Sequence, residues 1–221
     1  MPPRQKKAEV IINRSIQLFN EFGVSEVTTN HIAENLEMSP GNLYYYFPNK
    51  EAIIREIFAQ VRTKIESLWE DRDLSPLLLL NQYVHVVFNI IFGYRFFFSE
   101  LSLILRRDPL IRDEYMDLQS CFKKELASLF LQLNHAGVFI SLEAESQRHA
   151  LANSVWIVSI YWHCYLESAP EKPIQTPSHE LLHHILFLTQ PYIHPQYLDV
   201  VKGIFAEFLQ QSQLPEQISP A

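Results

Sequence analysis

Three consecutive tyrosines, Tyr44 to Tyr46, follow Asn42 and precede Lys50 in a short segment near the N-terminus. Their hydroxyls and the lysine ammonium can donate hydrogen bonds to phosphate oxygens. The asparagine amide can pair with an adenine edge through two hydrogen bonds. One short helix cannot bury three adjacent tyrosines, because they point to different faces. These residue types therefore predict contact with DNA.

A second pattern, His179-Glu180-Leu181-Leu182-His183, matches a motif in which two histidines bind zinc and a glutamate activates water. Pro177 places this pattern at a frayable helix start. The extended motif would need Gly and His where Leu186 and Thr189 stand, although a distant acid such as Glu207 could supply a third ligand. The alternatives are a zinc-dependent hydrolase or adventitious metal binding by His179, His183, His184 and His194. Because the chain also contains the DNA-contact segment, we expect that it is not an enzyme and that it binds neither a metal nor a cofactor.

Two short helices joined by a tight turn must position the first segment. Thr28 or Thr29 can cap the first helix, whose apolar residues form one narrow stripe. Ser39 followed by Pro40 is a cap followed by a residue suited to the first helical position. The second helix ends near Phe47, because a proline disfavours helical geometry in the residue before it.

The second helix has an inward face made by Leu43 and Phe47, which are four residues apart. Gly41, Asn42 and the three tyrosines are then left facing outward. Lys50 falls in the first turn of the next helix, where a cation opposes the helix dipole. We therefore expect an anionic group, such as a DNA phosphate, beside this lysine.

Residues 8–55 closely resemble the N-terminal domain of the TetR family of bacterial transcriptional regulators. The resemblance lies in a run from Ala8 through Ser15, Leu18 and Phe19 to Gly23, in Thr-Thr-x2-Ile-Ala from Thr28, and in Gly-x-Leu-Tyr-Tyr-Tyr-Phe-x-x-Lys from Gly41. These agreements extend over three consecutive helices, so together they are specific. They imply that the second short helix enters the major groove.

The resemblance also implies roles for single residues. Contacts to base edges or the groove are expected from Thr29, Asn30, Pro40, Gly41 and Asn42. Phosphate contacts are expected from Tyr44, Tyr45, Tyr46 and Lys50. We expect Asn42 to read sequence and Gly41 to let the backbone approach the groove closely. Asn30 departs from the arginine or small residue of several relatives. A helical interaction module that no longer binds DNA is the alternative.

Charge is divided unevenly along the chain, whose net charge is −7. Residues 1–64 have 8 Lys and Arg against 7 Asp and Glu, a net charge of +1, whereas residues 65–221 have 10 against 18, a net charge of −8. Arg4, Lys6 and Lys7 form a basic N-terminus that is similar to a DNA-binding arm, although it could equally be a solubilising end. The acidic part is not expected to touch DNA.

Composition predicts an all-α protein with two parts. The 221 residues are 48% hydrophobic, include 5 glycines, and have no alternating runs of Val, Ile and Thr. We expect a helix-turn-helix DNA-binding domain at residues 1–48 and a larger helical effector-binding and dimerisation domain at 49–221, linked by a helix at 49–70. The other predicted helices cover 3–22, 75–94, 97–106, 109–134, 142–167, 178–189 and 195–211, with a proline-rich loop at 169–177.

The cysteines and the apolar segments predict a cytoplasmic protein without a membrane span. Cys121 and Cys164 are single and far apart, so they predict neither a disulfide framework nor a thiolate zinc cluster. The chain shows no charged-then-apolar leader at Met1. The most apolar run, Val84 to Phe98, is interrupted by polar residues.

The larger domain is rich in aromatic residues, which ordinary core packing can explain. The family resemblance implies an effector pocket there, and a ligand acts only by binding one conformation more tightly than another. A bulky apolar or aromatic effector is expected, and a fatty acyl chain fits as well as a planar ring. The expected contacts are His85, Phe88, Asn89, Phe92, Arg95, Asn153, Trp156 and His163.

A palindromic operator requires two DNA-binding heads, so we expect a homodimeric repressor. The resemblance implies a four-helix bundle made from residues 144–167 and either 178–189 or 195–211. The expected apolar surface comprises Val155, Ile157, Val158, Ile204, Phe205 and Phe208. The alternative is that these residues are intramolecular core.

Overall fold

The computed structural model describes residues 3–70, 73–168 and 177–211. Within these ranges the regular structure is helical, which confirms the all-α prediction. The α-helices are α1 (Pro3–Phe22), α2 (Thr29–Asn35), α3 (Pro40–Tyr46), α4 (Lys50–Ser67), α5 (Pro76–Gly93), α6 (Arg95–Ser99), α7 (Leu101–Arg107), α8 (Pro109–His135), α9 (Glu145–Ser168), α10 (Pro177–Thr189) and α11 (Leu198–Gln211).

Local signals define the first helices. α1 ends before Gly23, whose φ of +81° is the left-handed conformation that glycine adopts easily. The Thr28 hydroxyl accepts a hydrogen bond from the His31 N–H and thereby caps α2. Asn49 caps α4 by accepting from the Ala52 N–H at 2.8 Å.

The chain forms two compact units. Among the described residues, unit 1 contains 3–63 and 94–114, and unit 2 contains 64–70, 73–93, 115–168 and 177–211. The boundaries fall within α4, between α5 and α6, and within α8. The compact units thus differ from the predicted functional domains at 1–48 and 49–221, because α6, α7 and the start of α8 group with the N-terminal helices.

Unit 1 is built around α1, which packs against both α2 and α6. Phe19 of α1 lies 5.2 Å from Phe96 of α6 between ring centroids. Phe58 of α4 stacks on Phe97 at 5.3 Å. The Asn20 side chain accepts from the Phe96 N–H, so α6 is held to the end of α1 by a hydrogen bond as well as by apolar burial.

Unit 2 packs α10 against both α9 and α11, and α11 against α5. An aromatic cluster joins α5 and α9 to α8 and to Trp69, which follows the end of α4. Phe122 lies at its centre, with ring centroids 6.1 Å from Trp69, 5.8 Å from Tyr83 and 5.0 Å from Trp156. Its members are buried, so most of the aromatic content of this unit is core.

Several predicted boundaries differ from those observed. The helix expected at 97–106 is two helices, α6 and α7, which meet at Glu100. The last helix begins at Leu198, after a short 3-10 turn at Pro195–Tyr197. The basic residues Arg4, Lys6 and Lys7 lie within α1. Residues 169–176 of the predicted proline-rich loop lie outside the described residues.

Within the described ranges, α5 is long and apolar enough to span a membrane by length and composition alone. Its 18 residues have a mean hydropathy of 1.4, and 50% of them are buried inside the protein. A core helix of a soluble protein meets the same criteria. Its packing against α11 is consistent with that role.

Candidate nucleic-acid interface

The turn between α2 and α3 is held by backbone hydrogen bonds. The Met38 N–H donates to the Ala33 carbonyl at 3.0 Å, while Glu37 adopts a positive φ of +51°. Ser39 then caps α3 by accepting from the Asn42 N–H at 3.2 Å. Leu43 is fully buried beneath α3, so the opposite face of this helix is fixed outward.

The outward face of α3 presents the predicted contact residues together. Gly41, Tyr44 and Tyr45 are exposed, and Asn42 and Tyr46 are half-buried. The Tyr45 ring lies edge-on to Tyr46 at 5.2 Å. Tyr45 is 63% exposed and Tyr44 is 46% exposed, so both rings are accessible to a partner.

A side-chain hydrogen bond joins the two short helices on this face. The hydroxyl of Thr29, at the start of α2, lies 3.1 Å from the Tyr44 hydroxyl of α3. Asn30 is exposed beside Thr29, and Pro40 is exposed at the start of α3. This hydrogen bond therefore brings predicted contact residues of α2 and α3 together on one face.

The Arg4 guanidinium lies over the Tyr45 ring, 5.1 Å from its centroid. This distance allows a cation–π interaction, which contributes about 0.5–1 kcal/mol at an exposed site. The basic start of α1 therefore adds positive charge beside α3. Arg4 lies in a helix rather than in a flexible arm, and its contact with DNA stays a prediction.

The side chain of Lys50 forms hydrogen bonds with backbone groups of unit 1. Its ammonium donates to the carbonyl oxygens of Val24 and Val27, the latter at 2.8 Å. Burial lowers the pKa of Lys50. The charge of Glu51 opposes this and raises the pKa, whereas the charge of Arg107 lowers it further. The two carbonyls supply negative dipoles that offset the unfavourable position of a lysine in a first helical turn.

Sequence reasoning missed Glu100. Its carboxylate accepts from the Val24 N–H and, at 2.8 Å, from the Ser25 hydroxyl. Glu100 is 76 residues from Val24 in the chain. Local pattern carries no signal of this contact, since a lone glutamate at a helix junction is normally a solvated residue.

Comparison with known proteins supports a regulatory family. Residues 11–57 match the family model described as bacterial regulatory proteins of the tetR family, and residues 54–201 match the model described as a bacterial transcriptional repressor. The second match alone covers more than half of the chain. The chain belongs to the TetR family of bacterial transcriptional regulators.

Individual relatives agree with this assignment. A TetR-family regulator from Marinobacter aquaeolei VT8 is 32% identical, with a TM-score of 0.77 over 94% of this chain and 99% of that one. RutR from Escherichia coli K12 is 29% identical over 49% of this chain and 52% of its own length. QacR from Staphylococcus aureus is 24% identical over 52% and 68%. The chain spans about half the length of the RutR sequences it matches.

TetR-family membership makes this chain a transcriptional regulator and not an enzyme. The zinc-hydrolase alternative is therefore wrong. His179 and His183 are exposed on α10, and the Glu207 carboxylate accepts from Asn81 and Gln211. Among the described residues, no group of three metal-binding side chains could hold a metal ion.

Unit 2 of this TetR-family regulator has a partly open cavity of about 20 Å³, roughly the space for one water molecule. Uncharged residues line it: Leu80, Tyr83, Leu126, Phe130, Phe139, Val155, Ile185, Thr189, Val201 and Phe205. Burial raises the pKa of Tyr83, so its phenol stays neutral. The Thr189 hydroxyl donates to the Ile185 carbonyl at 2.9 Å.

The eight residues expected to contact an effector do not line this cavity. Phe88 and His85 pack on Phe208, and Trp156 belongs to the aromatic cluster. His163 and Phe92 contact each other, with His163 Nε2 3.1 Å from the Ile91 carbonyl oxygen. Four of these residues are buried and His85 is half-buried, and their contact with an effector stays a prediction.

The remaining three polar anchors are also displaced from the cavity. Asn89 and Asn153 are exposed, because each occupies the solvent side of its helix. Arg95 belongs to unit 1, where its guanidinium donates to the Asn20 carbonyl at 3.1 Å. Polar residue type alone thus did not identify the residues that line this cavity.

Most of the residues expected at a dimer interface are intramolecular core instead. Val155, Ile204, Phe205 and Phe208 are buried within the single chain, and Val158 is half-buried. A side chain that is already buried has little surface left for a partner. Exposed apolar residues on α9 and α10 are Ile157, Tyr161, Tyr165 and Phe187.

Proposed function

We propose that this chain represses transcription by binding a palindromic operator as a homodimer, and that a bulky, neutral, apolar or aromatic effector releases it. The observation that carries the proposal is the exposed face of α3, where Asn42, Tyr44 and Tyr45 stand beside Thr29. We place this activity in the cytoplasm, where bacterial operator DNA lies.

In the proposed complex, α3 enters the major groove and Asn42 reads a base edge. Tyr44, Tyr45 and Tyr46 donate hydrogen bonds to phosphates and fix the register. Lys50 uses two of its three N–H groups on carbonyls, so a phosphate contact would use the third. The acidic remainder of the chain disfavours other contacts with DNA.

Asn42→Ala is expected to relax base preference. Duplexes selected by the unchanged chain from a random pool serve as operators, and binding to each single-base variant is measured. Loss of a bidentate amide contact costs about 1–3 kcal/mol at one position, so discrimination should fall by about 10-fold there and stay unchanged elsewhere. Asn13→Ala, an exposed asparagine of α1, is the matched control.

Lys50 gives a contrasting readout in the same assay. Lys50→Ala should weaken binding to all sequences about equally. If Asn42→Ala left the preference at every base pair intact, the assignment of Asn42 as the reader would be refuted. If the unchanged chain selected no sequence at all, the DNA-binding proposal itself would fail.

The effector proposal rests on the cavity in unit 2. Its lining has no charged side chain, and burying an unpaired charge there would be costly. The Trp69 indole N–H is buried without a partner in the described structure, and its ring lies 6.3 Å from the cavity residue Tyr83. A neutral ligand with one hydrogen-bond acceptor suits these groups, and the small volume requires the cavity to open around it.

We expect 2-naphthol to raise the melting temperature and the anion 2-naphthoate to have little effect. The two probes share the same ring system but differ in charge, so the difference reports the uncharged lining. Val201→Phe fills the cavity and should abolish the response while retaining operator binding. Equal shifts with both probes, or an unchanged response in Val201→Phe, would place the effector elsewhere.

A further inference from the structure

The loop between α1 and α2 is held by two oppositely charged side chains, Glu100 and Lys50, which we call the loop clamp. Glu100 accepts from the Val24 N–H and the Ser25 hydroxyl. Lys50 donates to the Val24 and Val27 carbonyls. Both backbone polar groups of Val24 are therefore bound by side chains.

The clamp satisfies backbone groups that lie next to buried side chains. Val24 and Val27 are buried, so their backbone groups are poorly placed to rely on water. At Gly23, an added Cβ would lie 2.9 Å from the Glu100 carboxylate oxygen, which shows how closely this carboxylate approaches the loop. The Glu100 carboxylate thus lies directly against the backbone of this loop.

Glu100 lies at the junction of α6 and α7, and α6 is fixed independently. Arg95 donates to the Asn20 carbonyl, and the Phe96 N–H donates to the Asn20 side chain, each at 3.1 Å. Phe96 also packs on Phe19 of α1. Glu100 therefore follows a helix, α6, that is already held against α1 by other contacts.

The clamped loop leads directly into α2. Thr28, which follows Val27, is the N-cap of α2, and Thr29 contacts the Tyr44 hydroxyl of α3. The loop thus sets where α2 begins, and α2 contacts the exposed face of α3. We propose that Glu100 is a positioning residue for operator binding, acting with Lys50 to hold α2 and α3 in the DNA-competent arrangement. This inference rests on the proposed function.

The proposal predicts an effect of unusual sign. An acidic side chain in a DNA-binding unit repels phosphates, so its removal ordinarily strengthens binding. If Glu100 positions α2, its removal weakens binding although a negative charge is lost. A general electrostatic role and a positioning role therefore give opposite results.

The test compares Glu100→Ala, Glu100→Gln and the control Glu56→Ala in the full chain, on duplexes selected by the unchanged protein. Glu56 is an exposed acid of α4. We expect Glu100→Ala to weaken binding by about 10-fold, as loss of hydrogen bonds to a charged group would. Glu100→Gln should stay within about 3-fold, since its amide oxygen can accept from Val24. Glu56→Ala should bind as tightly as the unchanged chain or more tightly.

Amide hydrogen exchange supplies a readout without DNA. The Val24 amide should exchange faster in Glu100→Ala and be unchanged in Glu56→Ala, and a single cooperative melting transition in each variant confirms that both fold. Binding by Glu100→Ala as tight as that of the unchanged chain, or an unaltered Val24 exchange rate, overturns the loop clamp. Failure of the unchanged chain to select DNA counts against the proposed function instead. The exchange rate of the Val24 amide then still tests whether Glu100 holds the loop.

Discussion

Replacing Ile157 and Tyr161 together by glutamate is expected to convert the dimer to a monomer and to lower operator affinity by about 10²- to 10⁴-fold. Both residues are exposed on α9 and lie four apart, with Tyr165 continuing the same face by another turn. Phe187 on the neighbouring α10 is 71% exposed. Four large apolar side chains on two packed helices form a surface suited to a second copy of this chain.

The loss of affinity would come from the loss of bivalent binding. Two heads on one operator bind cooperatively because the second head is held at high effective concentration once the first has bound. Glutamates on the α9 face would have to be buried without partners in the dimer. The unchanged protein and the Ile157/Tyr161 variant should therefore bind a duplex with only one half-site equally weakly.

Sedimentation equilibrium and operator titration check this result. Met116→Glu on α8 is the matched control, because it also adds an acid at an exposed apolar position of unit 2. We expect that control to remain dimeric. If the Ile157/Tyr161 variant also remained dimeric, the interface would have to lie on another face, such as the one around Val200 of α11.

The sequence was most informative where structure depends on neighbouring residues. Thr28, Ser39 and Asn49 all cap the helices that follow them, and Pro40 occupies the first turn of α3, because these effects act over one turn of chain. Gly23 likewise ends α1 through its own backbone conformation. The starts and ends of α2 and α3 could therefore be predicted closely, while the DNA contacts of their exposed residues stay a prediction.

The direction of apolar side chains on α9 could not be predicted in the same way. This helix has apolar residues on most faces, so periodicity does not distinguish Val155, which is buried, from Ile157, which is exposed. Only the packing of α10 shows which face is covered. For this reason the expected dimer residues included core side chains.

Long-range polar contacts were also invisible in the sequence. Lys50 appeared to need a phosphate, but the carbonyls of Val24 and Val27 occupy the position beside its ammonium. Glu100 appeared to be an ordinary helix residue until the fold brought it to the α1–α2 loop. Residue type predicted that Lys50 needs an anionic partner but gave no signal for Glu100, and only the tertiary structure identified the partners of both.

Gly41→Ala is expected to weaken operator binding by about 10- to 100-fold while leaving the protein equally or more stable. Gly41 lies in the first turn of α3, and an added Cβ would meet no heavy atom within 4 Å. Alanine favours a helix over glycine by up to about 1 kcal/mol. The free protein thus has no structural need for glycine at this position.

The need for glycine would arise only in the complex, if the start of α3 approaches DNA so closely that a methyl group collides with the groove. Gly203→Ala is the matched control, since this α11 glycine also has open space around its Cβ position. Melting temperature and operator affinity are measured for both variants. Opposite changes in stability and affinity for Gly41→Ala alone would assign this residue to the DNA contact, because a folding defect lowers both. Equal operator affinity in the two variants would instead show that α3 does not approach the groove through Gly41.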